Sequence, residues 1–235
     1  MNKKNNKKKI NKKNKKKLPN KLFKIENNDK KFHEKWTIDR NKINFPHPFR
    51  SVVIGRPNCG KSTTVKNLII FQDPPFKRVI VIHCDPEYTK EYDDIDVDFI
   101  MSDIPKPNDE MFDGKIKTMI ILDDLEYKFM IKQQLRNLDR LFGFVSTHKN
   151  VSIALCSQDT FNTPSCIRRM SNLWILWKPT DLDSLNTISR RIGIKKEVFR
   201  ELFEKNIHDT HDSLWFDMTN KSPYKIRKNG FELIN

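Results

Sequence analysis

Residues 52–64 read Val52-Val53-Ile54-Gly55-Arg56-Pro57-Asn58-Cys59-Gly60-Lys61-Ser62-Thr63-Thr64: an apolar run, a glycine-bounded loop and the opening of a helix. From Gly55 to Ser62 the stretch fits G-x-x-x-x-G-K-[ST] at every fixed position. The chemistry explains the residue types. Gly55 and Gly60 let the backbone turn sharply and bring its N–H groups onto phosphate oxygens, with a helix N-terminus behind them. Lys61 reaches the β- and γ-phosphates of a nucleotide, and the Ser62 hydroxyl is a ligand for Mg²⁺. The phosphate-binding set is therefore Gly55, Arg56, Pro57, Asn58, Cys59, Gly60, Lys61, Ser62 and Thr63, and the expected ligands are ATP and Mg²⁺.

On either side of this loop, short β-rich runs alternate with helical stretches, the pattern of βαβ units in a mostly parallel sheet. The expected strands are Ser51–Ile54, Arg78–His83, Val97–Met101, Thr118–Leu122, Val151–Cys156, Leu173–Trp177 and Ser213–Met218. Most are continuous apolar runs, as strands covered on both faces are. Helices are expected over Lys61–Phe71, Tyr127–Phe142, Asp181–Ile192 and Lys195–Asn206. The expected fold class is α/β, a P-loop NTPase with helices flanking a mostly parallel sheet.

A P-loop needs an acid on a neighbouring strand. Met119-Ile120-Ile121-Leu122-Asp123-Asp124 supplies an apolar strand ending in two carboxylates. Asp123 is placed to hold Mg²⁺ through water, and Asp124 to polarise the attacking water. One strand later, Val151-Ser152-Ile153-Ala154-Leu155-Cys156-Ser157 ends at Gln158, an amide placed to sense the γ-phosphate or the lytic water.

Composition divides the chain. It has 235 residues with 45 basic and 30 acidic side chains, a net charge of +15. Residues 1–24 hold twelve of the lysines and no acid, so the rest carries 33 basic against 30 acidic. The expected organisation is a disordered Lys/Asn-rich arm (1–30), an irregular linker (31–50), the ATPase domain (51–220) and a C-terminal tail (221–235). The arm reads as an electrostatic grip on nucleic acid, a nuclear import signal or a solubilising tail. The longest apolar run, Leu173–Trp177, falls far short of the roughly 20 residues of a membrane span. No apolar stretch follows the lysines as in a secretory signal. Cys59, Cys84, Cys156 and Cys166 form no C-x-x-C pair, which speaks against a zinc ribbon or disulfide scaffold.

The segments GRPNCGKST, MIILDDL, THKNVSIALCSQD and SCIRRMSNLWILW, in this order and spacing, resemble the genome-packaging ATPases of the HerA–FtsK superfamily. The likeness is to the poxvirus-type enzymes of large DNA viruses and virophages, over roughly residues 48–218. The resemblance implies a RecA-like core assembling into a homo-oligomeric ring that drives double-stranded DNA into viral capsids by hydrolysing ATP. Capsid proteins are then partners. The location is the host cytoplasm at viral factories, or the nucleus, with association with the virion. Carried over by position, Lys61 and Ser62 match the P-loop pair, Asp123 the metal-binding acid, Asp124 the catalytic acid and Gln158 the sensor. Arg168 or Arg169 matches an arginine that acts on the neighbouring subunit's nucleotide; the other reading of this pair is a solvated or DNA-facing basic patch. Asp124 stands where many superfamily members carry Glu. Two rival functions use the same loop, a nucleotide or nucleoside kinase and a DNA-binding protein with a non-catalytic P-loop.

Overall fold

The computed structural model describes residues 45, 47–179, 181–219 and 225–234. The Lys/Asn-rich arm and most of the 31–50 stretch lie outside the described residues. Branched apolar residues form the strands β1 (Arg50–Ile54), β2 (Arg78–His83), β3 (Phe99–Met101), β4 (Thr118–Asp123), β5 (Val151–Ser157) and β6 (Leu173–Leu176). Together with β7 (Leu214–Asp217), β8 (Ile226–Lys228) and β9 (Glu232–Leu233) they make one sheet in the order β3-β2-β4-β5-β1-β6-β7-β8-β9. All neighbours from β3 to β6 are parallel, and β7, β8 and β9 add antiparallel pairs at one side. The acidic strand lies beside β5, which separates it from the P-loop strand β1.

Alternating side chains send the central strands into two cores. One face carries Val52, Ile120, Ile153 and Trp174, the other Val53, Ile121, Ala154 and Ile175. The first face is covered by α2 (Lys132–Arg140), α3 (Ser165–Met170), α4 (Leu182–Ile192) and α5 (Lys196–Asn206), which bury Leu138, Ile167, Ile188 and Phe203 against it. The second is covered by α1 (Lys61–Ile70), through Val65 and Leu68. A sheet covered on both faces is why the strands read as unbroken apolar runs.

Several expectations shift. The helix expected at Tyr127 begins at Lys132, after turns in which the Phe129 N–H meets the Glu126 carbonyl and the Met130 N–H the Tyr127 carbonyl. Phe129 therefore leaves the core and is 79% exposed. The Gln134 side chain accepts from the Ile131 N–H and fixes the new start. At its far end the helix runs past Phe142, through a π-helical turn (Leu141–Val145) and a last α turn (Ser146–His148). The stretch set apart as a tail contributes β8 and β9 to the sheet. The described part of the linker is packed, with Phe45 and Phe49 buried and the His47 ring hydrogen-bonded to Ser152 and Asn150. Helix α3 had no counterpart among the expected elements.

Candidate active site

Parallel strands bring their C-terminal ends to one edge, where ligands of such sheets bind. Here that edge gathers the loop after β1, Asp123 and Asp124 at the end of β4, and Gln158 after β5. The result is a cleft of about 610 Å³ lined by Pro57 to Thr64, Lys66, Glu91, Asp123, Asp124, Gln158 and His211.

Two glycines fix the loop. Gly55 needs to be glycine because of space: a Cβ there would lie 2.5 Å from Cys59 Sγ and 2.8 Å from Trp177 Cε3. Gly60 needs to be glycine because of conformation, with φ at 102° where the loop turns into α1. Lys61 folds back over the loop and donates from Nζ to the carbonyls of Gly55 and Arg56, both at 2.9 Å. Burial raises the Cys59 thiol pKa against the opposing pull of Lys61, so this cysteine serves as packing beneath the loop.

The predicted residues are not all gathered. Lys61, Ser62, Asp123, Asp124 and Gln158 share the cleft, with Pro57, Asn58, Cys59, Gly60 and Thr63 on its rim. Gly55 and Arg56 instead line a smaller neighbouring hollow of about 280 Å³. Gln158 Nε2 donates to Asp124 Oδ1 at 3.2 Å. Asp124 has a left-handed backbone, φ 47°, which turns the chain off β4 and leaves its carboxylate exposed. Arg168 and Arg169 do not reach the cleft of their own chain. On α3, Arg169 is exposed, whereas Arg168 is partly buried with Nε and Nη1 lacking hydrogen-bond partners. Burial, then the nearby Arg191, lowers the Arg168 pKa.

Three site residues had no signal in the sequence. Tyr92, in a short 3₁₀ turn after β2, donates its hydroxyl to Asp123 Oδ2 at 2.5 Å. Its neighbour Glu91 lines the cleft with Ser62 and Asp123. Partial burial of the Glu91 carboxyl raises its pKa; the nearby Ser62 hydroxyl works against that rise and Asp123 adds to it. The third is His211, held beside the loop by a contact from Nδ1 to the Cys59 carbonyl at 3.2 Å. The Glu91–Tyr92 pair and His211 lie far apart in sequence and are united only by the fold. The Ser62 hydroxyl with the Asp123 and Glu91 carboxylates is an all-oxygen set, the kind that suits Mg²⁺.

No protein-family model matches the chain, and no curated protein does. Solved structures do. The genome-packaging NTPase B204 from Sulfolobus turreted icosahedral virus 2, in complex with AMPPCP, aligns with a TM-score of 0.54 at 18% identity, covering 77% of this chain and 96% of that one. Its complex with ATP-gammaS aligns at 0.54 and 17% identity, covering 81% and 98%. B204, the DNA-packaging ATPase from Sulfolobus turreted icosahedral virus, aligns at 0.53 and 18% identity, covering 77% and 97%. The chain has the P-loop NTPase fold. At this identity the likeness establishes the fold alone. Within the P-loop NTPase fold, the arrangement of loop, acids and amide rests on this chain's own residues. Among the described residues no helix is long and apolar enough to cross a membrane.

Proposed function

We propose that the chain is an ATPase that hydrolyses ATP at the Lys61 cleft and uses the energy to move double-stranded DNA into viral capsids. The observation that carries the ATPase reading is the meeting of the phosphate-binding residues Pro57 to Thr63 with Asp123, Asp124 and Gln158 in one cleft. Support for packaging comes from the sequence resemblance and from the B204 structures, whose fold the chain shares.

The loop N–H groups and the α1 N-terminus cradle the phosphates. Lys61 moves from the Gly55 and Arg56 carbonyls to the β/γ oxygens, where a fixed cation offsets developing charge. Ser62 and Asp123 would hold Mg²⁺, with Tyr92 fixing Asp123 and Glu91 lying beside them. The chemistry that Mg²⁺ would supply there is positive charge to offset that of the phosphates. Asp124 orients and polarises the attacking water, and Gln158, hydrogen-bonded to Asp124, positions both against the γ-phosphate. An arginine from α3 of a second copy completes the charge stabilisation, which makes a homo-oligomeric ring the working form. The lysine-rich arm grips DNA phosphates. Action at viral factories in the host cytoplasm, or in the nucleus, with capsid proteins as partners, belongs to the same reading.

The test is phosphate release from ATP by the full chain, with and without double-stranded DNA, across protein concentration. Release that DNA stimulates and that rises per subunit with concentration is expected. Transfer of phosphate to a nucleoside would favour a kinase, and DNA binding without turnover a non-catalytic loop.

A further inference from the structure

His211 lies outside every motif, yet it is held against the phosphate loop by a dedicated scaffold. Its carbonyl accepts from Trp177 Nε1 at 3.2 Å, and its N–H donates to Asp209 Oδ1 at 2.9 Å. Next to it, the Asp212 carboxylate accepts from the His208 and Asp209 N–H groups, from Asn229 and from Lys228. Burial pushes the Asp212 carboxyl up, but these hydrogen bonds together hold it well below the usual carboxylate range. Lys228 ends β8 and Asn229 follows it, so the C-terminal strands brace the His211 loop. The imidazole itself stays exposed. A carbonyl only accepts, so the contact with Cys59 places a proton on Nδ1 and fixes the ring.

We infer that His211 is the nucleobase-positioning residue of the cleft, stacking its ring on the purine of a nucleoside triphosphate. This rests on the reading of the cleft as a nucleotide site. The terminal phosphates must lie where Lys61, Asp123, Asp124 and Gln158 converge, so the nucleoside leaves the loop away from those acids. The hydrogen-bond partners of His211 are Cys59, Trp177 and Asp209, none of them in that catalytic group. Of the described residues lining the cleft, His211 alone carries an aromatic ring. Aromatic stacking is tolerant in geometry and selective for a flat base over a bare phosphate.

The experiment compares the affinity of the full chain for ATP with that for a base-free ribose triphosphate, in the wild type, His211→Ala and His211→Phe, each checked for an intact fold by its melting profile. His211→Ala should lose about tenfold in ATP affinity, within the range of a base stack, and keep its affinity for the base-free compound. His211→Phe should restore ATP binding. Equal losses for both ligands, or no loss for either, would overturn the assignment and leave His211 a loop brace. A wild type that binds neither ligand would overturn the nucleotide reading itself, and this inference with it.

Discussion

Gln158 and Asp124, thirty-four residues apart in sequence, meet at 3.2 Å beyond the ends of β5 and β4. The contact joins an uncharged donor to the carboxylate best placed to act on water, so the two form one unit. Asp124→Asn should keep nucleotide affinity, because Lys61 and Ser62 hold the phosphates, and lose about 10² or more in turnover, the low end of general acid–base contributions. Gln158→Ala should lose less and should not add its full effect to Asp124→Asn. Single-turnover hydrolysis beside equilibrium binding checks both, and wild-type turnover in a folded Asp124→Asn protein would remove Asp124 from catalysis.

Gly55→Ala should destabilise the chain before it affects chemistry. The new methyl meets Cys59 Sγ at 2.5 Å and Trp177 Cε3 at 2.8 Å, and both partners are buried. Overpacking of this kind costs about 1–3 kcal/mol. Trimming the thiol in Gly55→Ala/Cys59→Ala should recover only part of the loss, since the indole remains. Urea denaturation reads both. Full recovery in the double variant would show that the ring yields.

Glu91 should carry a pH signature. Its carboxyl titrates above its ordinary value, by partial burial and then by its neighbours. Between the unfolded and folded values the folded chain holds more protons than the unfolded chain. Stability therefore falls as pH rises through that window, and stays lower above it. Glu91→Gln removes this cost. In nucleotide-free and metal-free buffer at pH 7 its melting temperature should rise by about 1–2 °C, a small effect because the group faces solvent. The gain should fade below about pH 4. A drop in melting temperature at pH 7 would mean that the carboxylate contacts with Ser62 outweigh the burial.

These residues show what a sequence displays and what it withholds. Residues 55–62, Asp123–Asp124 and Gln158 were legible because each sits at the end of an apolar run, and parallel strands must deliver such ends to one edge. Glu91, Tyr92 and His211 were not, because they lie in turns with no period to mark them. Phe129 was misplaced for a related reason. Its spacing fits a helix face, but the turns at Glu126 to Met130 delay the helix until Lys132. Ile226–Lys228 pairs as a strand although Arg227 interrupts it with a charge. That guanidinium is buried over the Phe45 ring, 4.7 Å from its centroid, an arrangement no alternation pattern announces.

Arg168 and Arg169 should part company when replaced. Arg168 holds Nε and Nη1 in buried positions without acceptors, beside Arg191. An unpaired buried donor costs about 1–3 kcal/mol, so Arg168→Met, which keeps the alkyl stem, should leave the isolated chain as stable as the wild type or more so. Arg169 is exposed, and Arg169→Ala should stay within about 0.5 kcal/mol. A side chain whose removal stabilises the monomer while abolishing turnover is held for something other than the fold. Under the shared-site proposal, that something is the γ-phosphate of the next subunit, where an arginine is worth about 10³–10⁵ in rate. Arg168→Met protein mixed with Lys61→Ala protein should then regain part of the activity, because an intact loop in one subunit meets an intact arginine in the next. Should Arg168→Met instead unfold more readily, with activity lost only in step with the folded fraction, Arg168 is structural and the exposed Arg169 is the arginine left to test by the same mixing.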